Sequence, residues 1–89
     1  MITYKFIIQG IVQGVYYRKS IYENTLKKNI KGYVKNLSNG KVEAVANLDK
    51  ENFDIFLDIL KKGSSYSKIN NISSSKLSYK EYKNFSIQY

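Results

Sequence analysis

The centre of the fold is set by the stretch IKGYVKNLSNGKVEAVAN (residues 30–47). We interpret residues 30–36 and 41–47 as two strands, because the Asn39-Gly40 pair between them is the strongest short signal for a β-hairpin. Apolar side chains alternate along the second strand, so one of its faces carries Val42, Ala44 and Ala46. The sequence therefore predicts two neighbouring antiparallel strands in the middle of the chain.

A strand and a helix are predicted before this hairpin. Residues 2–9 (ITYKFIIQ) are β-branched and aromatic, as is typical of a strand. Residues 18–29 (RKSIYENTLKKN) contain apolar pairs at helical spacing, and two lysines stand where a helix C-terminus favours cations. Asn29 tolerates the left-handed conformation, so we expect the helix to stop there.

A second helix is predicted after the hairpin. Asp49 is a suitable N-cap residue, and Lys61-Lys62-Gly63 is a typical helix end. Between them, four apolar residues follow the i, i+3, i+4, i+7 spacing of a core-facing stripe, namely Phe53, Phe56, Leu57 and Leu60. We interpret this stripe as core and not as a cofactor site.

The last quarter of the chain is polar until its final residues. Residues 64–84 are weakly patterned, with a short strand predicted around Ile69 to Ile72, whereas FSIQY (residues 85–89) alternates like a last strand. The resulting order is βαββαβ, the split βαβ arrangement of ferredoxin-like domains. The prediction is an α+β sandwich, an antiparallel sheet with two helices on one face, formed by residues 1–89 as a single domain.

The composition excludes several kinds of chemistry. The 89 residues include neither cysteine nor histidine, which removes thiol nucleophiles, the commonest metal ligand and the usual neutral-pH proton shuttle. The net charge of +8 favours anionic partners, which include nucleic acid, an anionic membrane surface and small phosphorylated substrates. No signal peptide is recognisable and no stretch approaches the ~20 apolar residues of a membrane span. A cytoplasmic protein with no membrane partner is expected.

The stretch QGIVQGVYYR (residues 9–18) joins the first strand to the first helix and ends in the only arginine of this lysine-rich chain. Gly10 and Gly14 can adopt positive φ and let the backbone approach a ligand closely. N–H groups at a helix N-terminus attract a tetrahedral anion, and the fork of Arg18 matches two phosphate oxygens as lysine cannot. A tight turn with a surface arginine would also explain these residues. No Gly-Lys-Ser/Thr follows, so a Walker loop is excluded.

Two motifs resemble the signatures of the acylphosphatase family. GIVQGVYYR (residues 10–18) is similar to the family's G-x-V-Q-G-V-x-F-R. GYVKNLSNGKVEA (residues 32–44) is similar to its second block, G-W-V-x-N-x-x-x-G-x-V-E. The terminal FSIQY also resembles the family's last strand, so the resemblance covers the whole chain.

The departures from the family pattern are mild. Tyr17 stands where phenylalanine is usual, Tyr33 replaces tryptophan, and Lys28-Asn29 replaces a Leu-Gly pair. Asn29 can adopt the left-handed conformation of the glycine, but Lys28 cannot fill the pocket of a leucine. We therefore expect the end of the first helix to be less well packed, which affects stability and not chemistry.

The resemblance implies an activity and a role for each site residue. Acylphosphatases hydrolyse mixed carboxylic–phosphoric anhydrides to a carboxylate and inorganic phosphate, and neither metal, cofactor nor phosphoenzyme is expected. By this resemblance, Asn36 holds the attacking water through its side-chain amide, and Arg18 binds the phosphoryl group. The backbone amides that share in phosphate binding are those of Gln13, Gly14, Val15, Tyr16, Tyr17 and Arg18. Inorganic phosphate or sulfate is an expected product-like ligand, and a monomer is the expected state.

The reaction suits a site without an acid. A carboxylate leaving group is stable as an anion, whereas a phosphate monoester expels an alkoxide and requires an acid, a metal or a cysteine. We hypothesise that a phosphate oxygen of the substrate accepts the proton of the water. From spacing alone, Asn36 would be a turn residue that bonds its own backbone; the resemblance favours the water-binding role.

Two other functions compete with this one. RNA-recognition domains share the βαββαβ order, and nine tyrosines could stack on bases. KGYVKN (residues 31–36) begins like their aromatic motif but continues with Val34 and Lys35, and it falls on the second strand instead of the third. No specific nucleic-acid partner is therefore expected. The second alternative is the acylphosphatase-like domain of a larger carbamoyl-transferring protein, but the chain ends right after its final strand, and we expect it to act alone.

Overall fold

The computed structural model describes residues 1–89, which form five strands and two helices. In chain order these are β1 (Ile2–Ile11), α1 (Tyr17–Leu26), β2 (Lys31–Asn36), β3 (Val42–Leu48), α2 (Lys50–Lys62), β4 (Lys68–Leu77) and β5 (Phe85–Gln88). Every predicted helix and strand is present. Neither helix has the length and apolar character needed to cross a membrane.

The strands form one sheet in the order β4-β1-β3-β2-β5. β1 pairs antiparallel with β3 and β4, and β2 pairs antiparallel with β3. β5 pairs parallel with β2, with Gly32 opposite Phe85 and Val34 opposite Ile87. The α+β sandwich is thus confirmed, but the sheet is mixed, and the prediction of an antiparallel sheet was wrong at this strand.

The fourth strand of the βαββαβ unit is β4 and not the C-terminal FSIQY. The short strand predicted around Ile69 to Ile72 is ten residues long, and β5 is a fifth strand added beyond β2. β4 lies at a sheet edge, where only Ile69 and Ile72 pack against the core. Its remaining serine, asparagine and lysine side chains are mostly exposed, which is why the hydrophobic pattern showed so little of the strand.

The core lies between the sheet and the two helices. Large and small residues face each other across the central strands, as where Phe6 pairs with Ala44. The ring of Phe56 on α2 lies 5.3 Å from that of Phe6 and 6.0 Å from that of Phe85, measured between centroids. Of the predicted stripe, Phe56 and Leu60 are buried, and the other two members are partly buried against this core. The stripe is core, as predicted.

The predicted hairpin turn and the end of α2 are where the sequence placed them, whereas α1 ends at Leu26, three residues before the predicted stop at Asn29. In the hairpin, the Leu37 N–H donates to the Lys41 carbonyl (2.8 Å), and Asn39 Oδ1 accepts from the Lys41 N–H (3.0 Å). Gly40 has a φ of 89°, and Asn29, just after α1, has a φ of 55°. Both residues are therefore in the left-handed conformation, which glycine and asparagine tolerate better than other residues.

The turn that ends α1 contains Lys28, which stands where the family pattern has a leucine. Lys28 is exposed and fills no pocket. Thr25 Oγ1 in the last turn is buried and has no hydrogen-bond partner. An unpaired buried hydroxyl costs stability, and no apolar side chain at position 28 offsets that cost.

Tyr33, the residue in place of tryptophan, uses its hydroxyl in a hydrogen bond. The phenol donates to Glu43 Oε2 at 2.8 Å, and its ring lies 5.8 Å from the ring of Tyr82. Burial, together with the hydrogen bond to Glu43, raises the pKa of Tyr33. The substitution therefore keeps an aromatic residue here and gives its polar atom a partner.

Candidate active site

Residues 12–16 form the loop between β1 and α1, and its backbone is bent sharply. Gly14 has a φ of 73° and Tyr16 a φ of 61°. A Cβ at Gly14 would meet nothing within 4 Å, so the glycine is needed for its conformation and not for space. Residues 13–16 lie in no helix or strand, and none of their backbone N–H groups donates to a backbone carbonyl of the chain.

The N-terminus of α1 is open. The first hydrogen bond of the helix runs from the Ser20 N–H to the Tyr16 carbonyl (3.1 Å), so the three N–H groups before it have no partner within the helix. No side chain caps this end, and its first turn holds no acidic residue. Arg18 and Lys19 stand there instead, although cations are disfavoured at the positive end of a helix. The arrangement concentrates positive potential and free donors at one point.

Two residues of this stretch contact other parts of the chain. A Cβ at Gly10 would collide with the Lys68 carbonyl oxygen, so this glycine lets β4 approach β1. Gln13 Nε2 donates to the carbonyls of Leu37 (2.7 Å) and Lys41 (2.9 Å). The Gln13 side chain thereby ties the loop to the β2–β3 hairpin.

Arg18 is held by the C-terminal strand. Its Nη1 donates to the Gln88 carbonyl at 2.9 Å, and its Cζ lies 4.8 Å from the centre of the Tyr89 ring. A guanidinium has five N–H groups in a planar fork, and this bond uses only one of them. The contact with β5 therefore fixes the plane of the guanidinium and leaves donors for a ligand.

Asn36 ends β2 with an unpaired polar atom. Its Oδ1 is buried and has no hydrogen-bond partner. The turn bond that spacing alone would assign to Asn36 is accepted by Asn39. Asn36 Oδ1 is therefore left without a partner, and a buried polar group that is left unpaired calls for an explanation.

Arg18 and Asn36 line one cavity of about 360 Å³. Of the predicted site residues, the structure brings together Gly14, Tyr16, Tyr17, Arg18 and Asn36. Gln13 and Val15 are not among the lining residues. Sequence reasoning missed four that are, namely Val12, Lys19, Ile87 and Tyr89. Ile87 on β5 and Tyr89 just after it gave no signal, because β5 reaches the site by pairing with β2, which is distant in sequence.

Tyr17, the residue in place of phenylalanine, lines the cavity and is anchored to α2 through its hydroxyl. Its hydroxyl donates to the Leu60 carbonyl at 2.8 Å, and burial raises the pKa of the Tyr17 phenol. The hydroxyl is therefore a neutral donor committed to α2. The departure from phenylalanine adds a structural bond and leaves the chemistry of the cavity unchanged.

The residues after α2 are hydrogen-bonded to the loop of residues 12–16 and to α1. Ser64 Oγ donates to the Val15 carbonyl at 2.6 Å, and Ser20 Oγ donates to the Gly63 carbonyl at 2.8 Å. A Cβ at Gly63 would approach the Tyr17 ring within 2.7 Å. The loop is thus clamped between this segment and the β2–β3 hairpin, which holds its backbone in one shape.

The cavity is lined by cationic side chains and by no acidic side chain. Its charged lining residues are Arg18 and Lys19. Nowhere in the structure do three or more acidic side chains gather in a way that could hold a metal ion. Such a site can bind an anion and polarise it, and its lining holds no histidine, cysteine or acidic side chain.

Comparison with known proteins gives consistent matches along the chain. The family model for acylphosphatase matches residues 4–87. An acylphosphatase of Vibrio parahaemolyticus is 37% identical over 83 residues, which are 93% of this chain and 92% of that protein. The crystal structure of acylphosphatase from Bacillus subtilis matches with a TM-score of 0.94 at 34% identity, and the match covers 100% of both chains. Full-length HypF in its phosphate- and nucleotide-bound form has a TM-score of 0.80 at 34% identity, over 99% of this chain and 12% of that one.

The matched region includes both the loop before α1 and the end of β2. The chain belongs to the acylphosphatase family, the enzymes that hydrolyse acyl phosphates.

Proposed function

We propose that this cavity hydrolyses acyl phosphates, with Arg18 as the phosphoryl-binding residue and Asn36 as the residue that orients water. One observation carries the proposal. The only arginine, in the uncapped first turn of α1, and the buried, unpaired Oδ1 of Asn36, at the end of β2, line the same cavity. Donors on one side and an orienting amide on the other are what an in-line attack on phosphorus requires.

Binding begins at the helix N-terminus. The phosphoryl oxygens lie against the free N–H groups of the loop and the first turn of α1, from Gln13 to Arg18, and the guanidinium of Arg18 bonds two of them. Because Nη1 is already bonded to the Gln88 carbonyl, the fork is in place before the substrate arrives. Donors fixed in advance stabilise the charge that develops on the phosphoryl oxygens. Inorganic phosphate or sulfate binds in the same place as a product-like ligand.

Asn36 acts on the nucleophile. Its side-chain amide holds a water in line with the bond between phosphorus and the carboxyl oxygen. The water oxygen bonds to phosphorus, and the bond between phosphorus and the carboxyl oxygen breaks. The acyl group leaves as a carboxylate and keeps the electron pair of the broken bond. The proton of the water passes to a phosphate oxygen of the substrate. No residue has to act as an acid, which suits a cavity lined by no acidic side chain and no histidine.

The activity is metal-independent in this proposal, and that claim is directly testable. Hydrolysis of benzoyl phosphate is measured before and after treatment with EDTA, and again after addition of Mg²⁺ or Zn²⁺. We expect the rate to be unchanged throughout, because charge neutralisation comes from Arg18 and the loop amides. A complete loss with EDTA that a divalent metal restores would show that the mechanism is wrong.

We further propose that residues 1–89 act as one domain, as a monomer in the cytoplasm, with no specific nucleic-acid or membrane partner. The support is chemical: every group that the mechanism uses belongs to one copy of the chain, and the cavity is built for a small anion. The motif that favoured an RNA-binding module lies on β2, as the sequence predicted, and Tyr33 in that motif is already packed against Tyr82.

A further inference from the structure

A second cavity lies next to the proposed phosphoryl site. It also measures about 360 Å³ and is bounded by the first turns of α1 and by the segment after α2. Tyr16 and Lys19 line both cavities, so the two share a wall. A substrate held by its phosphoryl group in the first cavity has the second within reach of the rest of the molecule.

Two exposed tyrosines stand at this second cavity. Tyr16 and Tyr66 are each 70% exposed, and their ring centroids lie 6.3 Å apart at a tilt of 52°. Their hydroxyls make no hydrogen bond within the chain, unlike those of Tyr17 and Tyr33. Two large apolar rings left to solvent beside a polar cavity form a surface suited to an apolar group of a ligand.

The position of Tyr66 relative to the phosphoryl site is fixed. The turn that carries Tyr66 is closed by the Ser67 N–H, which donates to the Ser64 carbonyl at 3.2 Å. Ser64 Oγ in turn donates to the Val15 carbonyl of the loop before α1 at 2.6 Å. A turn bonded to the phosphate-binding loop itself holds the backbone of Tyr66 in a fixed place beside that loop.

The lining of the second cavity indicates the kind of group that it accepts. Its charged residues are one cation, Lys19, and one anion, Glu23, so it has no net preference for a charged ligand. An engineered protein cavity of about 150 Å³ is large enough to bind benzene. The second cavity, at about 360 Å³, therefore has room for a planar ring.

We propose that Tyr16 and Tyr66 form an acyl subsite, and that it favours acyl phosphates with an aromatic, uncharged acyl group over those with a small aliphatic one. This inference rests on the proposed function, because it assigns the acyl end of the same substrate. The phosphoryl group binds at the N-terminus of α1, and the acyl ring packs against Tyr66 with Tyr16 beside it. Tyr66 is then a specificity-determining residue and takes no part in the chemical step.

The test compares two substrates across four proteins. The values of kcat/KM for benzoyl phosphate and acetyl phosphate are measured for wild type, Tyr66→Ala, Tyr66→Phe and Tyr79→Ala. Tyr79 is a matched control, since it is also an exposed tyrosine, at 58%, but it lies in the β4–β5 connection away from the cavity. We expect Tyr66→Ala to lower the ratio of benzoyl to acetyl kcat/KM by about 2- to 12-fold, the range of an aromatic pair. Tyr66→Phe keeps the ring and should keep the ratio, as should Tyr79→Ala.

The ratio is independent of the fraction of protein that is folded, because both substrates are tested on the same sample. An unchanged ratio in Tyr66→Ala overturns the acyl subsite and leaves the proposed function standing. So does a fall in both rates by the same factor. If wild type hydrolyses neither substrate, the proposed function fails, and the acyl subsite fails with it.

Discussion

The two helices begin in opposite ways, although they occupy corresponding places in the two βαβ halves. α2 follows β3 after a single residue, Asp49, whose Oδ1 accepts the Asn52 N–H at 2.8 Å. α1 follows β1 after the five residues 12–16, and no side chain caps it. Glu51 adds a negative charge to the first turn of α2, whereas Arg18 and Lys19 stand in the first turn of α1.

This difference shows which end has a function beyond folding. A helix N-terminus is stabilised when an anionic side chain neutralises its dipole and satisfies its N–H groups. α2 carries its own anion and is complete without a ligand. α1 has no such anion, and Arg18 and Lys19 in its first turn further destabilise the helix end when no anion is bound. In our proposal, the anion that completes α1 is the substrate's phosphoryl group.

The largest effect is expected from Arg18→Lys. Lysine keeps the charge, but it lacks the planar fork that bonds two phosphoryl oxygens side by side while another N–H bonds the Gln88 carbonyl. Loss of one fixed donor to developing charge typically lowers the rate by ~10²–10³, and we expect kcat/KM for acyl phosphates to fall by that factor. Competitive inhibition by inorganic phosphate should weaken in the same variant. Steady-state kinetics with and without phosphate measure both effects.

The contrary result is equally clear for this variant. If Arg18→Lys keeps kcat/KM within a few-fold of wild type, Arg18 is a surface charge and the open N-terminus needs another explanation. Because position 18 is partly exposed and the charge is kept, the variant should melt close to wild type. A thermal melt followed by circular dichroism checks that the comparison is made between folded proteins.

The second effect separates the two sides of the cavity. Asn36→Ala removes the group that orients water, and misplaced reactants can cost ~10² in rate, so kcat should fall by about that factor. Inhibition by inorganic phosphate should stay nearly normal, because the donors around the phosphoryl group are untouched. Arg18→Gln, by contrast, should damage phosphate affinity as well.

Asn39→Ala is the matched control for Asn36→Ala. Asn39 belongs to the same hairpin, and its Oδ1 accepts the turn hydrogen bond from the Lys41 N–H. Its loss should lower stability by ~0.5–1.5 kcal/mol, the value of one hydrogen bond, and leave kcat near that of wild type. A folded Asn36→Ala protein with normal kcat would mean that some other group holds the water.

The contrast between the helix ends also explains how far sequence reasoning reached. The Asp49 cap, the left-handed conformation of Asn29 and the Asn39-Gly40 turn were predicted correctly, because caps and turns depend on residues within a few positions of one another. The parallel pairing of β5 with β2 was not predicted, because alternation in four residues does not specify which strand they join. The length of β4 was missed because an edge strand needs few apolar residues.

The candidate site divides in the same way. Gly14, Arg18 and Asn36 were found from local motifs and a family resemblance, and they line one cavity. Tyr89 and the Gln88 carbonyl were missed, since their contacts with Arg18 depend on where β5 lies in the sheet. The Tyr16–Tyr66 pair was missed for the same reason, because a loop and a distant turn meet only in the folded chain.

The smallest effect is expected at the closed helix end. Asp49→Ala removes the side-chain cap of α2, which should lower the free energy of unfolding by about 1 kcal/mol, as measured by urea denaturation. Activity should be unchanged, because Asp49 lines a different cavity from Arg18. Phosphate at 100 times its Kd should stabilise wild type and Asp49→Ala alike by ~2.7 kcal/mol, through binding to α1. At that same phosphate concentration, Arg18→Lys should gain much less. If phosphate stabilised all three proteins equally, the anion would bind somewhere other than the open end of α1, and the two helix ends would differ for a reason unrelated to substrate.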